Sequence, residues 1–381
     1  MVTKYVLCIC DSNKDEKYEP IGDLLKRNIY LHTVLTKYKN KITEHYRNKQ
    51  WDRYKKLTNE YEQIFTTPNL GGMNICSYNP VSRSFFKMWE MLYDFVDDLN
   101  INKNTPINAM FICDSPGGFA EAIVKYRGLE KNKTDKYYGM SLKSVNKNIP
   151  DWKFVDKINI CYGADNTGDL YNKCNLDWMK DNLPKMDFLS YDGGFDYSND
   201  FNAQEETSLR LILCEIYSAL IMQDKNGNCI LKIYDIFHEN TLKTISFLKQ
   251  FYKKINIIKP LSSRPANSEK YLVCVGFNNS NNESIKLIEL LGKLISNYTP
   301  KMLNEFLDNI QHNPCVLHNL ICYNVYYTLR QIYYIEQTIA YINEFGKTYH
   351  DPNTKEQLRK ITELHKAKAI LWCKKYNLPH V

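Results

Sequence analysis

No stretch of this sequence is long and apolar enough to span a bilayer, so a helical membrane protein is excluded and no membrane partner is expected. Met1 to Lys4 leads into only six apolar-rich residues, too few for a signal peptide, and none is expected. Twelve cysteines are present, yet no C-x-x-C pair or Cys/His cluster has zinc-site spacing, and no metal is predicted. Cys8, Cys10, Cys113, Cys229 and Cys274 lie inside apolar runs, which predicts reduced core thiols of an intracellular protein. The glycine pair at 117–118 is not part of a G-x-G-x-x-G, so the dinucleotide fingerprint does not apply. No internal repeat is visible. Asn132-Lys133-Thr134 and Asn297-Tyr298-Thr299 match the glycosylation pattern, as chance allows in an Asn-rich chain.

What is present begins with a mild basic excess. The formal net charge is +7, which permits a polyanionic partner without requiring one. The stretch from Asn108 to Tyr126 organises the rest. Ala109 to Cys113 has the short apolar run of a buried parallel strand. Ser115-Pro116-Gly117-Gly118 is turn chemistry, and Phe119, Ala122, Ile123 and Tyr126 then share a helical face. A bare glycine turn before a helix N-terminus suits an anion or a zwitterionic cofactor. Upstream, Tyr5 to Cys10 reads as a short strand, and Gly22 to Phe65 as one or two amphipathic helices. Ser82 to Asp98 reads as a helix that Ser82 can cap.

Downstream, strands are predicted at Tyr137–Leu142, Ile158–Tyr162, Met186–Tyr191, Cys229–Tyr234, Ile255–Ile258 and Tyr271–Phe277. Helices are predicted at Gln204–Met222 and Glu239–Tyr252. This alternation predicts an α/β fold with a mostly parallel sheet and helices on both faces. Pro68 to Gly72 marks a boundary and Ser280 to Ser284 a linker. The expected division is a mostly helical arm over 1–70, the α/β domain over 71–280 and a helical region over 281–381.

Polar residues collect where strands end. Asp114, Asp165 and Asp192 each follow a predicted strand and should line one sheet edge. Lys232 interrupts the apolar run Cys229 to Ile233. A lone buried ammonium is costly, so it needs a partner, and Asp192 is a plausible one. Lys87 lies on the helix entering the domain, and Glu269 opens the last strand.

Taken together, Asp114 to Phe119 resembles the first motif of FtsJ-type S-adenosylmethionine-dependent RNA 2′-O-methyltransferases. Four more pieces follow that family's order: Ser82 to Glu90, Ser190 to Gly194, Ile230 to Ile233 and Ser262 to Tyr271. The pattern is most similar to the Adrift-type cap enzymes and their relatives in large cytoplasmic DNA viruses, African swine fever virus among them. The resemblance covers roughly residues 75 to 280 and implies a Rossmann-like methyltransferase sheet. It implies a catalytic tetrad of Lys87, Asp192, Lys232 and Glu269, with Lys232 as general base, its pKa lowered by burial and a second ammonium. It implies that S-adenosylmethionine is held by Asp114, Ser115, Pro116, Gly117, Gly118 and Phe119, with Tyr138 to Ser141 (Gly139 among them) near ribose and adenine and Asp165 near the adenine N6. Arg83 and Arg264 are candidates for RNA or cap phosphates. The implied substrate is RNA, foremost the capped 5′ end of mRNA, in the cytoplasm, a viral factory or a virion. Capping-machinery or virion proteins are the possible partners. A ribosomal RNA methyltransferase and a catalytically silent RNA-binding scaffold remain the alternatives.

Overall fold

A computed structural model describes residues 6–9, 18–46, 49–66, 74–99, 101, 105–128, 134–143, 149–154, 156–195, 200–279 and 282–381. The predicted boundary at Pro68 to Gly72 lies outside them, as do Tyr5 and Cys10. The chain opens with β1 (Val6–Ile9), α1 (Ile21–Tyr46), α2 (Gln50–Leu57) and a 3₁₀ turn at Glu62–Ile64. The core then runs α3 (Ser84–Asp94), α4 (Val96–Leu99), β2 (Asn108–Ile112), α5 (Gly118–Arg127), β3 (Lys136–Met140) and β4 (Ile158–Cys161). It continues with α6 (Lys173–Asn182), β5 (Met186–Tyr191), α7 (Gln204–Met222), β6 (Gln223–Ile233), α8 (Glu239–Lys249), β7 (Tyr252–Ile258) and β8 (Lys270–Phe277). Four helices close the chain: α9 (Asn282–Ser296), α10 (Pro300–Asp308), α11 (Pro314–Phe345) and α12 (Pro352–Lys375).

Among the described residues, eight strands form one sheet in the order β1-β7-β8-β6-β5-β2-β3-β4. From β4 to β6 every pairing is parallel; β8 then runs antiparallel to both β6 and β7, and β1 antiparallel to β7. The order turns back beside β2, which is flanked by β3 on one side and β5 on the other. That switch point opens a crevice at the carboxyl ends of the strands.

The central strands are buried on both faces because their apolar residues alternate between two cores. Ala109 and Phe111 meet Phe85, Met88, Phe119 and Ile123 of α3 and α5. Met110 and Ile112 meet Leu213, Leu220 and other residues of α7. The terminal helices complete both cores. Leu291, Leu294 and Leu320 join the α7 side, while Trp372 and Tyr376 join the α3 side. α1, α2 and α11 share a third cluster around Trp51, Tyr54 and Ile335.

Several expected boundaries move. α3 begins at Ser84 rather than Ser82, and Arg83 precedes it without a side-chain cap; the Ser82 hydroxyl instead hydrogen-bonds to that of Ser84. The helix expected to reach Asp98 ends at Asp94, and α4 follows separately. β6 starts directly after α7, and its register with β5 shifts between Met186, opposite Gln223, and Phe188, opposite Asn228. α8 stops at Lys249, three residues before its expected end, and β7 takes over from Tyr252. α6 has no counterpart in the sequence reading, since its polar run Lys173 to Asn182 buries only Asn175, Leu176 and Met179. Among the described residues, no helix is long and apolar enough to cross a membrane, and no group of His, Cys, Asp or Glu could hold a metal ion.

Candidate active site

The end of β2 sets up the site. Cys113 adopts a left-handed backbone, φ +57°, which a non-glycine residue rarely does, and its N–H donates to Met140 O at 2.8 Å. The chain then turns so that Asp114 is buried. Its carboxylate accepts the N–H groups of Phe119 at 2.9 Å and Ala120 at 2.8 Å, filling the first donors of α5. Burial drives the Asp114 carboxyl upward in pKa against those two backbone hydrogen bonds. Asp192, just past β5, donates its N–H to Ile112 O, which locks the β5 end beside the β2 end.

At this crevice lies a cavity of about 550 Å³, within the range of small-molecule sites. Its walls come from four strand ends: Cys113 and Ser115 after β2, Ser141 and Leu142 after β3, Gly168 to Tyr171 after β4, and Asp192 to Phe195 after β5. Lys232 and Tyr234 of the β6 segment close it on the far side.

The four residues of the tetrad are brought into one cluster. Lys87 of α3 meets Glu269 at 2.7 Å, and Lys232 meets Asp192 at 3.1 Å. The Lys232 ammonium also donates to the Asp192 carbonyl at 2.8 Å. Glu269 joins the two pairs. Burial raises its pKa, but Lys87, Lys232 and Lys259 outweigh that and hold it down to about 2. For Lys232, burial favours the neutral amine, but Asp192, Tyr234 and Glu269 prevail and hold its pKa well above the ordinary lysine value. The expected depression of the Lys232 pKa is therefore not found. Asp192 leads because its carboxylate is in contact with the ammonium, and Glu269 adds from farther away.

Of the residues expected around the cofactor, the structure brings Ser115 and Ser141 to the cavity wall. Asp114 is turned back onto α5. The Pro116 carbonyl accepts from Lys153 N and Phe154 N. Gly117, at φ +107°, lies against Phe154 and Trp152, and a Cβ on Gly118 would strike the Ser82 and Ser84 hydroxyls and Phe85 N. Phe119 is fully buried, with its ring 5.8 Å from that of Tyr271. Tyr138 packs into the α7-side core, and Gly139 lies under Trp152. Asp165 serves its own turn, accepting from Thr167 N, Thr167 Oγ1 and Asn172 Nδ2. On that side it is Asp169 that reaches the cavity.

Arg83 and Arg264 are already engaged. Glu62 takes Arg264 in a fork at 3.1 and 2.9 Å, and its Oε1 lies 3.3 Å from Arg83. Arg83 also donates to the Phe65 and Ser262 carbonyls. Burial opposes the Glu62 carboxylate, but the two guanidiniums hold its pKa below the usual value.

Several participants were not foreseen. Tyr271 OH donates to Asp192 Oδ1 at 3.1 Å, and Ser263 Oγ donates to Glu269 Oε1 at 2.8 Å. Lys259 donates to the carbonyls of Asn267 and Glu269, fixing the loop that presents Glu269. Its sequence mark is weaker than that of Lys232, since it follows Ile257-Ile258 at the end of β7 rather than interrupting an apolar run.

The model of the FtsJ-like methyltransferase family matches residues 80–277, from just before α3 to the end of β8. Cap-specific mRNA (nucleoside-2'-O-)-methyltransferase 1 of Drosophila melanogaster is 32% identical over 171 residues, covering 43% of this chain and 21% of that protein. Its namesake in Homo sapiens is 32% identical over 181 residues, with the same two shares. Cap-specific mRNA (nucleoside-2'-O-)-methyltransferase 2 of Drosophila melanogaster is 22% identical over 255 residues, 61% of this chain and 36% of that protein. The chain thus spans 21% to 36% of the length of these curated relatives. A solved ribosomal RNA methyltransferase, putative in its own description, from Plasmodium falciparum aligns at 21% identity over 51% of this chain and 97% of that one. The TM-score of that alignment is 0.39.

Proposed function

The chain belongs to the FtsJ-like methyltransferase family, and from that premise we propose that it methylates the 2′-hydroxyl of ribose in RNA, foremost at nucleotides next to an mRNA cap. The observation that carries the reading is the pairing of Lys232 with Asp192 on the wall of the switch-point cavity, with the Lys87–Glu269 pair linked to it through the charge of Glu269. The names of the relatives support the cap as the target.

S-adenosylmethionine is the cofactor of FtsJ-like methyltransferases. The cavity has room for it and offers mixed chemistry: Ser115, Ser141 and Asp169 as polar partners, and Leu142, Ile149, Leu170 and Leu211 as apolar walls. When bound, the cofactor supplies an electrophilic methyl carbon on a positively charged sulfur. Lys232 takes the proton of the attacking hydroxyl, and Asp192 and Tyr271 hold Lys232 and its partner in place. Lys232 is an ammonium in the free protein, so base action needs that hold to loosen. A positive charge entering the cavity disfavours the ammonium and works in that direction. Lys87, anchored by Glu269, steers the hydroxyl. Arg83 and Arg264 meet RNA phosphates beside the tetrad, sharing them with Glu62.

The narrower part of the proposal is an Adrift-type enzyme of a large cytoplasmic DNA virus, acting in the cytoplasm on viral messages. The five ordered motifs support it. The deciding experiment is methyl transfer from labelled cofactor to short RNAs with and without a cap, followed by mapping of the methylated ribose. Transfer to a 2′-hydroxyl of capped RNA is expected. Label on a base, on ribosomal RNA alone, or nowhere would sink the reading.

A further inference from the structure

We propose that Glu215, on α7, is a positioning residue for this reaction: its buried carboxyl supports the Asp192-Gly193-Gly194 turn from beneath and, through Asp192, sets the readiness of Lys232 to act as base. The inference rests on the methyl-transfer reading of the site.

Glu215 is only 1% exposed, and the Gly193 backbone packs against its carboxyl. The fit is tight, since a Cβ on Gly193 would lie 2.3 Å from Glu215 Oε1. Leu211, one helical turn earlier, lines the cavity, so Glu215 lies under its floor. Oε1 finds no hydrogen-bond partner among the described residues. A carboxylate in such a place is costly, whereas a neutral carboxyl is not.

The groups facing Glu215 come from every neighbouring element. Asp192 and Tyr191 belong to the β5 end, Lys232 to β6 and Cys113 to the β2 end. Cys214 is on α7 itself, and Tyr171 lies in the loop after β4. Lys232 is the one cation among these. Burial pushes the Glu215 carboxyl up to about 8, with Asp192 adding to the shift and Lys232 and the Gly193 backbone opposing it. Glu215 is therefore neutral at pH 7, and above about pH 8 it places a second negative charge beside Asp192. That charge favours the Lys232 ammonium and turns the base down. The direction is opposite to that of a lone lysine, which becomes a better base as pH rises.

Two substitutions test this. Glu215→Gln keeps shape and hydrogen bonding but cannot ionise, while Glu215→Leu removes the support. With saturating cofactor and RNA, wild-type kcat is expected to flatten or fall above about pH 8, while the Gln variant keeps rising. Glu215→Leu is expected to lose roughly tenfold or more in kcat at neutral pH, with KM for RNA within about twofold. Thermal melts give a readout free of activity. An acid whose folded pKa is raised costs stability above its unfolded value of 4.5, and that loss is complete near about 8. The wild type should therefore lose Tm relative to Glu215→Gln across that window. Superimposable pH–kcat profiles, or melts that do not diverge, overturn the proposal while leaving methyl transfer intact. Absence of transfer by the wild type on any RNA overturns the methyl-transfer reading, and this proposal with it.

Discussion

In the free protein Lys232 keeps its proton, since burial of its ammonium is outweighed by Asp192, Tyr234 and Glu269. The charge contacts that make it a poor base at rest also fix its amine at the cavity wall. Lys232→Ala is therefore expected to lower methyl transfer by about 10²–10⁴-fold while cofactor affinity, measured by calorimetry, changes little. Lys232→Arg should be equally inactive, because a guanidinium does not give up its proton. Near-wild-type transfer by either folded variant would remove Lys232 from the chemistry. Glu269 yields a stability prediction of known sign. Its folded pKa of about 2 lies below the unfolded 4.5, so its contribution is present above about pH 4.5 and is lost as pH falls toward 2. The shift amounts to about 3 kcal/mol. In urea titrations the advantage of wild type over Glu269→Gln should shrink by up to about that amount between pH 5 and pH 2. A constant gap would mean that Glu269 is not held as a carboxylate by its lysines. Lys232 was legible because a cation interrupts an apolar strand, yet Lys259 and Lys270, which only border apolar strands, are buried more deeply. Lys259 spends its donors on the loop carrying Glu269, and Lys270 on Asp235. Which lysine faces a cavity depends on loops folding back from elsewhere, and a local run of residues does not contain that.

The turn between β2 and α5 shows the same division for whole elements. Its strand, its glycines and its helix were all readable from Ala109 to Tyr126, and the structure has them within one or two residues. What Gly118 is for was not readable. The bare backbone suggested room for a ligand, but the space belongs to the start of α3, where Ser84 and Phe85, with Ser82 just before the helix, come within 2.1 to 2.9 Å of where a Cβ would stand. Fully buried Phe85, Met88 and Met91 seat α3 on the sheet, and each such side chain contributes roughly 1.5–3 kcal/mol. Gly118→Val should therefore loosen α3, costing roughly 1–3 kcal/mol of stability, with Lys87 displaced along with the helix. A variant with wild-type Tm and weakened cofactor binding alone would contradict this. Three late helices had a start signal in plain view: Thr299-Pro300, Asn313-Pro314 and Asp351-Pro352. Each polar side chain accepts backbone N–H groups of the first turn, and each proline occupies N1. α6 had no such mark, and its apolar face is too narrow to declare itself.

Across the whole molecule, the terminal segments complete the central sheet. Trp372 donates to Glu90, the carboxylate that also receives Leu261 N and Ser262 N from the loop leading to Glu269. Lys39 of α1 pairs with buried Asp235, which Lys270 shares. Truncation after Asn279 would uncover the surface that Leu291, Leu294, Leu320, Tyr323 and Trp372 now cover. An insoluble or strongly destabilised product is expected. A soluble truncation that binds cofactor, with weaker and less salt-dependent RNA binding, would make the C-terminal helices a recognition module instead. The carboxylate that joins Arg83 to Arg264 bears on how the net charge of +7 is felt by a polyanion. Glu62 already neutralises part of that guanidinium pair, so an arriving phosphate meets a site from which RNA's condensed counterions are released less fully than the arginines alone would allow. The slope of log K against log salt should be shallower than a count of basic residues at the mouth predicts, and Glu62→Gln should steepen it by roughly 0.7, about one phosphate's worth for a single strand. An unchanged slope would mean that RNA does not pass over this pair.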